Sequence, residues 1–297
     1  MSMRHPVILT DIRQGRILVV DIDEKDPLAQ PLWEWYPTQA QGWKTTRDSL
    51  KEALSEVKVR RSACHDSTVV LFCSSRGNVG MVAYPQGKCL WEDMVGVSPH
   101  AIELLPNGDI VVGASGGGVG EKGAVHYLQL QPDGTYVQTE AHPLYGAHGL
   151  VWDPERQYLW ASGTHDVVAF TLGENGLIPV EGAGTVIPCG YGHDLMQDLS
   201  DPNILWVSPS PVVYQFRKDE NRLVTQFRDC DVIHPLLRAK GIASFPDGVV
   251  VWVAYGHHTS SEHPNHFSAL WPGKGVITYT HDSAGWNKVR VFSDKYM

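Results

Sequence analysis

Short, strongly apolar runs separated by polar turns recur along the chain. Thr68-Val-Val-Leu-Phe-Cys, Asp109-Ile-Val-Val-Gly-Ala, Tyr158-Leu-Trp-Ala-Ser, Asn203-Ile-Leu-Trp-Val-Ser and Val249-Val-Val-Trp-Val-Ala are each the length of one strand. Runs this apolar suit strands covered on both faces. Turns precede most of them: Pro106-Asn-Gly, Asp153-Pro-Glu-Arg, Asp201-Pro-Asn and Pro246-Asp-Gly. Asn-Gly and Asp-Gly supply positive φ at little cost, and proline fixes φ at the turn's start. Ahead of each apolar run lies another strand, opening on a basic residue: Lys58, His100, His148, His193, Lys240 and Lys288, at gaps of 42, 48, 45, 47 and 48 residues.

A period of roughly 40 to 50 residues with about four strands per unit predicts an all-β fold, a six-bladed β-propeller in one domain. The N-terminus offers a second strand (Val7-Ile-Leu-Thr-Asp), a third (Arg16-Ile-Leu-Val-Val-Asp) and a fourth (Leu32-Trp-Glu-Trp-Tyr), but no first. Lys288-Val-Arg-Val-Phe would supply it from the C-terminus, pair with the N-terminal blade and close the ring, leaving no open edge. The predicted blades are 7–40 with 286–295, then 57–95, 99–142, 147–187, 192–230 and 239–282. A helix is expected at about 45–56, where helix formers follow the capping residue Thr46.

With 297 residues and 42% hydrophobic content the chain can bury a large core. Its net charge of −9 argues against nucleic acid or an anionic membrane as partner, since both select basic surfaces. Five cysteines without CxxC spacing read as buried free thiols in a reducing compartment. The first residues do not resemble a signal peptide, and a cytoplasmic location is expected.

Closing six units in a circle brings the six basic residues to one axis. His100, His148 and His193 come from consecutive blades, and three neutral imidazoles around one cation suit Zn, Mn, Fe or Ni with positions left open. Lys58, Lys240 and Lys288 would face them; one lysine is a candidate base for proton abstraction and the others candidate anion binders. By strand alternation the next positions on the same face read Arg60, Ile102, Leu150, Leu195, Ile242 and Arg290, a mostly apolar floor. Arg60 and Arg290 would extend the anion site or pair with a carboxylate elsewhere. The same alternation turns Asp194 away from His193. Rim loops contribute Arg76, and His257 and His258 from a histidine-rich segment that also holds His263 and His266, as candidate substrate contacts. The Gly113–Gly123 loop lacks the features of a phosphate cradle, and in Cys64-His65-Asp66 neighbouring side chains rarely face one another.

His100-Ala-Ile-Glu-Leu-Leu-Pro-Asn-Gly, Gly146-Ala-His-Gly-Leu-Val-Trp-Asp, Gly192-His-Asp-Leu and Lys240-Gly-Ile with Pro246-Asp-Gly resemble a family of bacterial six-bladed propellers without established function. The site more loosely resembles oligogalacturonate lyase and related propeller lyases, which implies a histidine-held divalent metal. The architecture is similar to gluconolactonase-like propellers, whose carboxylate and asparagine ligands this ring lacks. The resulting expectation is a metal-dependent enzyme acting on a small anionic molecule, a sugar acid or carbohydrate derivative, by lyase or epimerase chemistry. A metal-dependent hydrolase in the same cup, or a non-catalytic propeller that binds an anionic ligand or a protein partner, is the alternative.

Overall fold

The turn residues do locally what their chemistry requires. Gly108 and Gly248, closing Pro106-Asn-Gly and Pro246-Asp-Gly, hold φ of 92° and 89°, where a side chain would be strained. Each turn hands the innermost strand of a blade to the apolar second strand. In the computed structural model, which describes residues 4–116, 122–255 and 263–293, the hairpins assemble into six four-stranded antiparallel sheets. The chain is a six-bladed β-propeller.

The innermost strands are Leu54–Ser62, Pro99–Leu104, Gly149–Asp153, Gly192–Gln197 and Ala239–Ser244 in blades 2 to 6. Blade 1 takes its innermost strand, Trp286–Val291, from the C-terminal end, where it pairs with Pro6–Asp11. The C-terminal strand covers the edge that Pro6–Asp11 would otherwise expose, and gives blade 1 the same four strands as the other blades.

Side chains between blades form the core. Trp152, Trp160, Trp206 and Trp286 are fully buried. Ile102, Leu150, Leu195 and Ile242, read from sequence as an axial floor, instead pack among the apolar residues of neighbouring second strands. Burial of each contributes about 1.5–3 kcal/mol. All five cysteines are free, but only Cys73 is fully buried and Cys64 is exposed.

The helix expected at about 45–56 is a single turn, Arg47–Leu50. Thr46 Oγ1 accepts from Ser49 N and Ser49 Oγ accepts from Thr46 N, each at 3.2 Å. Lys51 is already extended and Glu52 holds φ of 56°, because the chain must turn there to enter the inner strand of blade 2. No helix among the described residues is long and apolar enough to cross a membrane.

Candidate functional site: a cup at the propeller axis

One local device repeats where the inner strands begin. The pairing register slips between Leu54 and Glu56, Pro99 and Ala101, Gly192 and Asp194, and Ala239 and Gly241. Each slip is a β-bulge that inserts one residue and re-aims its side chain. The inserted residues are Ser55, His100, His193 and Lys240. Asn287 lies in the matching irregularity of blade 1, and His148 stands just before the inner strand of blade 4, its N–H donating to Ser162 O at 2.9 Å. Two residues upstream the backbone is left-handed in four blades: Ser98 (φ 56°), Gly146 (63°), Tyr191 (56°) and Arg238 (51°). Three of these are not glycine, a strain of about 1–3 kcal/mol each.

The ring at the cup is therefore Ser55, His100, His148, His193, Lys240 and Asn287. Five of these, all but His148, line a cavity of about 470 Å³ together with Ser75, Ser98, Ser210, Arg238, Tyr255 and His263. Lys58 and Lys288 do not belong to this ring. Lys58 lies three residues past Ser55 and Lys288 one past Asn287, so both sit deeper along the axis.

There they join a network of buried ions. The Lys58 ammonium donates to Leu150 O and, at 3.2 Å, to Glu103. Arg60 grips the same carboxylate through Nη2 at 2.6 Å. Lys288 Nζ donates to Asp194 at 3.0 Å and to His193 O at 2.9 Å. Arg290 bridges Asp194 at 2.6 Å and Glu56 at 2.8 Å, spanning the axis from blade 1 to blades 5 and 2. Lys58 and Lys288 are thus structural ions rather than the base and anion binders expected from sequence, and Arg60 and Arg290 follow the second of the two expectations for them, pairing with carboxylates instead of extending an anion site. Asp194 reverses its expectation too: the bulge turns it to the same side as its neighbour His193. Burial alone would push Asp194 and Glu103 up, but Arg290 with Lys288, and Arg60 with Lys58, hold both below the usual carboxylate range. Burial lowers the Lys58 pKa despite Glu103.

The three histidines do converge. The His100 and His148 rings stack at 4.2 Å between centroids with 22° between planes, and His193 meets His148 edge-on at 5.8 Å. His148 Nδ1–H donates to Gly146 O at 2.8 Å, which fixes the tautomer and leaves Nε2 as acceptor. The Lys240 ammonium donates to His193 Nδ1 at 3.1 Å, so His193 carries its proton on Nε2 and donates to Ser210 Oγ at 2.7 Å. His100 Nε2 lies 3.1 Å from Ser98 Oγ. Burial, reinforced by neighbouring cations and imidazoles, pushes His100 and His193 well below the ordinary range. Burial is also the largest effect on His148, which falls to about 4. All three are neutral at pH 7.

Neutral imidazoles are what a transition metal requires, but this arrangement does not fit one. Ring lone pairs lie in the ring plane, so two near-parallel stacked rings cannot both point at one ion. His193 has both nitrogens engaged. Among the described residues no group of three His, Cys, Asp or Glu side chains is placed to hold a metal. The same tautomer prevents His193 from taking a proton from Ser210, which disfavours a serine hydrolase.

Arg76 is exposed, does not line the cavity and donates to Asp48 O at 2.6 Å. His257 and His258 lie outside the described residues. Sequence reading missed Ser55, Asn287, Arg238 and Tyr255. The gap of 42 residues before His100, shorter than the rest, was the available sign that Lys58 was out of register; Ser55 restores gaps of 45, 48, 45, 47 and 47.

Fold and cup define the class: a closed six-bladed propeller with a polar, histidine-bearing cup above an ion-filled axis. Within it, the chain belongs to DUF6528, a family of unknown function whose pattern matches residues 7–258. The sequence resemblance to a propeller family without established function agrees with this membership. No curated protein matches the chain. Solved structures that share the fold include the following two. One is the crystal structure of a nidogen/laminin complex, at TM-score 0.63 and 11% identity over 98% of this chain and 99% of that one. The other is the Cps50 (Swd1) β-propeller domain of Myceliophteria thermophila, at TM-score 0.57 and 12% identity over 97% and 90%. At these identities the likeness concerns the fold alone.

Proposed function

We propose that the cup binds a small hydroxylated organic acid, of the sugar-acid class, and acts on it by proton transfer at a histidine. The carrying observation is the charge balance along the axis. The buried network sets four cations, Lys58, Arg60, Lys288 and Arg290, against three carboxylates, Glu56, Glu103 and Asp194. Above that surplus of positive charge the cup adds two cations, Lys240 and Arg238, against one carboxylate, Glu52, while its imidazoles are neutral. Such a site favours an anion. Ser75, Ser98 and Ser210 around the same cavity suit ligand hydroxyls.

Proton transfer is favoured by His148, which the Gly146 carbonyl orients and burial keeps neutral, with Nε2 as acceptor. His148 stands behind the cavity wall, its ring stacked at 4.2 Å on that of His100, which lines it. A carboxylate held at Lys240 and Arg238 with its α carbon turned towards this pair would have its α proton abstracted by His148 Nε2, the developing negative charge falling against the cations. Epimerisation or β-elimination follows from this step, and no metal enters it.

Calorimetric titration with D-galacturonate and D-glucuronate, against glucose as the neutral counterpart, tests the binding. The acids are expected to bind and glucose to bind at least about tenfold more weakly. Equal affinity for acid and neutral sugar, or no binding of either acid, overturns the reading. Deuterium exchange at C5 of the bound acid in heavy water, present in the wild type and lost in His148→Gln, separates an enzyme from a binder.

A further inference from the structure

The two blades that carry His148 and His193 also carry exposed aromatic side chains at the edge of the cup. Tyr145, three residues before His148, is 60% exposed, and Tyr191, two before His193, is 69% exposed. The exposed His165 ring lies parallel to Tyr145, at 12° and 6.0 Å between centroids. The backbone ties this group to the cup: Tyr191 O accepts from Ser210 N at 3.0 Å, and Ser210 lines the cavity. Tyr145 O accepts from Thr164 N at 2.7 Å, next to His165. Gly190 closes against the His165 ring, where an added Cβ would stand 3.2 Å away.

Tyr191 is the unusual member. Its φ of 56° is the left-handed conformation that the equivalent position of blade 4 gives to Gly146. A bulky aromatic residue is strained there and, being exposed, recovers nothing by burial. Neither backbone preference nor packing accounts for a tyrosine at this position. A rigid aromatic face held out beside a polar cavity gives large contact area at little entropic cost, and suits the apolar C–H face of a pyranose ring.

We propose that Tyr145, His165 and Tyr191 form a stacking platform for a second sugar ring, so that the ligand is an acidic oligosaccharide with one uronate in the cup and its neighbour on the rim of blades 4 and 5. This rests on the reading of the cup as a sugar-acid site. The cup sets the charge requirement and the platform sets the chain-length requirement.

The test compares galacturonate with its α-1,4-linked dimer and trimer in calorimetric titrations of wild type, Tyr145→Ala and Tyr191→Asn, asparagine being tolerant of the left-handed backbone. The wild type is expected to bind the dimer at least about tenfold more tightly than the monomer. Both variants should lose most of that gain while holding the monomer within about twofold. A dimer no tighter than the monomer, or variants that weaken monomer and dimer equally, overturns the platform and leaves the cup standing. Failure of every uronide to bind overturns both. Binding of the monomer alone, with an unrelated protein captured through the tyrosines, also overturns the platform in favour of a protein contact.

Discussion

Lys240, His193 and Ser210 form a short hydrogen-bond chain across the cup, running from a cation through a neutral imidazole to a hydroxyl. Its polarity makes Lys240 the residue that an incoming carboxylate meets as a charge. Lys240→Met keeps the stem and removes the ammonium. It should weaken uronate binding by tenfold or more, with the melting temperature within a few degrees of wild type. The imidazoles give a second expectation, in which the sign follows from burial. In the unfolded chain they titrate near 6.5, whereas in the fold His148 is held at about 4 and His100 and His193 well below the ordinary value. As pH falls from about 6.5 towards 4 the unfolded chain takes up protons that the native state refuses, so stability decreases; above about 6.5 these groups contribute no slope. Thermal melts across that window should show a steep decline in the wild type. His148→Gln should show a shallower one, by up to about one proton.

The element that matters most is the bulged start of the inner strand. A plain strand would send alternate side chains to the axis, as sequence periodicity assumes. The bulge adds one residue, turns two consecutive side chains inward and shifts every later position. This is why Asp194 and Glu103, at positions the alternating pattern turned away from the axis, are the anions that anchor Lys288 and Lys58. Removing one partner of such a network strands a buried charge. Glu103→Gln, which leaves Lys58 and Arg60 without their carboxylate, is expected to lower stability by about 3–5 kcal/mol in urea unfolding. A change below about 1 kcal/mol would show that the axis is hydrated enough to screen these ions.

At the scale of the whole molecule, closure is a single strand. Trp286–Val291 completes blade 1 and also contributes Asn287 to the cup and Lys288 and Arg290 to the axis. Truncation after Ala284 should therefore remove site and fold together. The sharp thermal transition is expected to broaden or vanish in circular dichroism, and uronate binding with it; a truncated chain that melts cooperatively near the wild-type temperature would contradict the closure. The arrangement of the imidazoles carries its own expectation. Adding Zn, Mn, Ni or Fe to protein purified without an affinity tag should leave the melting temperature unchanged within about 1 °C, since ligands that bind only the folded state raise it.

The architecture was legible because a propeller writes itself locally: apolar second strands, Asn-Gly and Asp-Gly turns and a period near 45 residues each follow from a few neighbouring residues. The missing first strand at the N-terminus, with Lys288-Val-Arg-Val at the other end, even revealed the closure. His100, His148, His193 and Lys240 were legible for the same reason, each standing beside a recurring turn. Lys58 and Lys288 were misplaced, and Ser55 and Asn287 passed over, because a bulge leaves no mark in hydrophobic periodicity and a slip of one residue exchanges the faces of a strand. Whether a lysine at the axis meets a ligand or a carboxylate depends on which side chains arrive from other blades: Glu103 lies 45 residues from Lys58, and Asp194 lies 94 from Lys288. Sequence alone determined the repeat and the kinds of residue brought to the axis. The tertiary structure decided their depth and partners, because Coulomb and desolvation energies depend on distances between blades that no local pattern encodes.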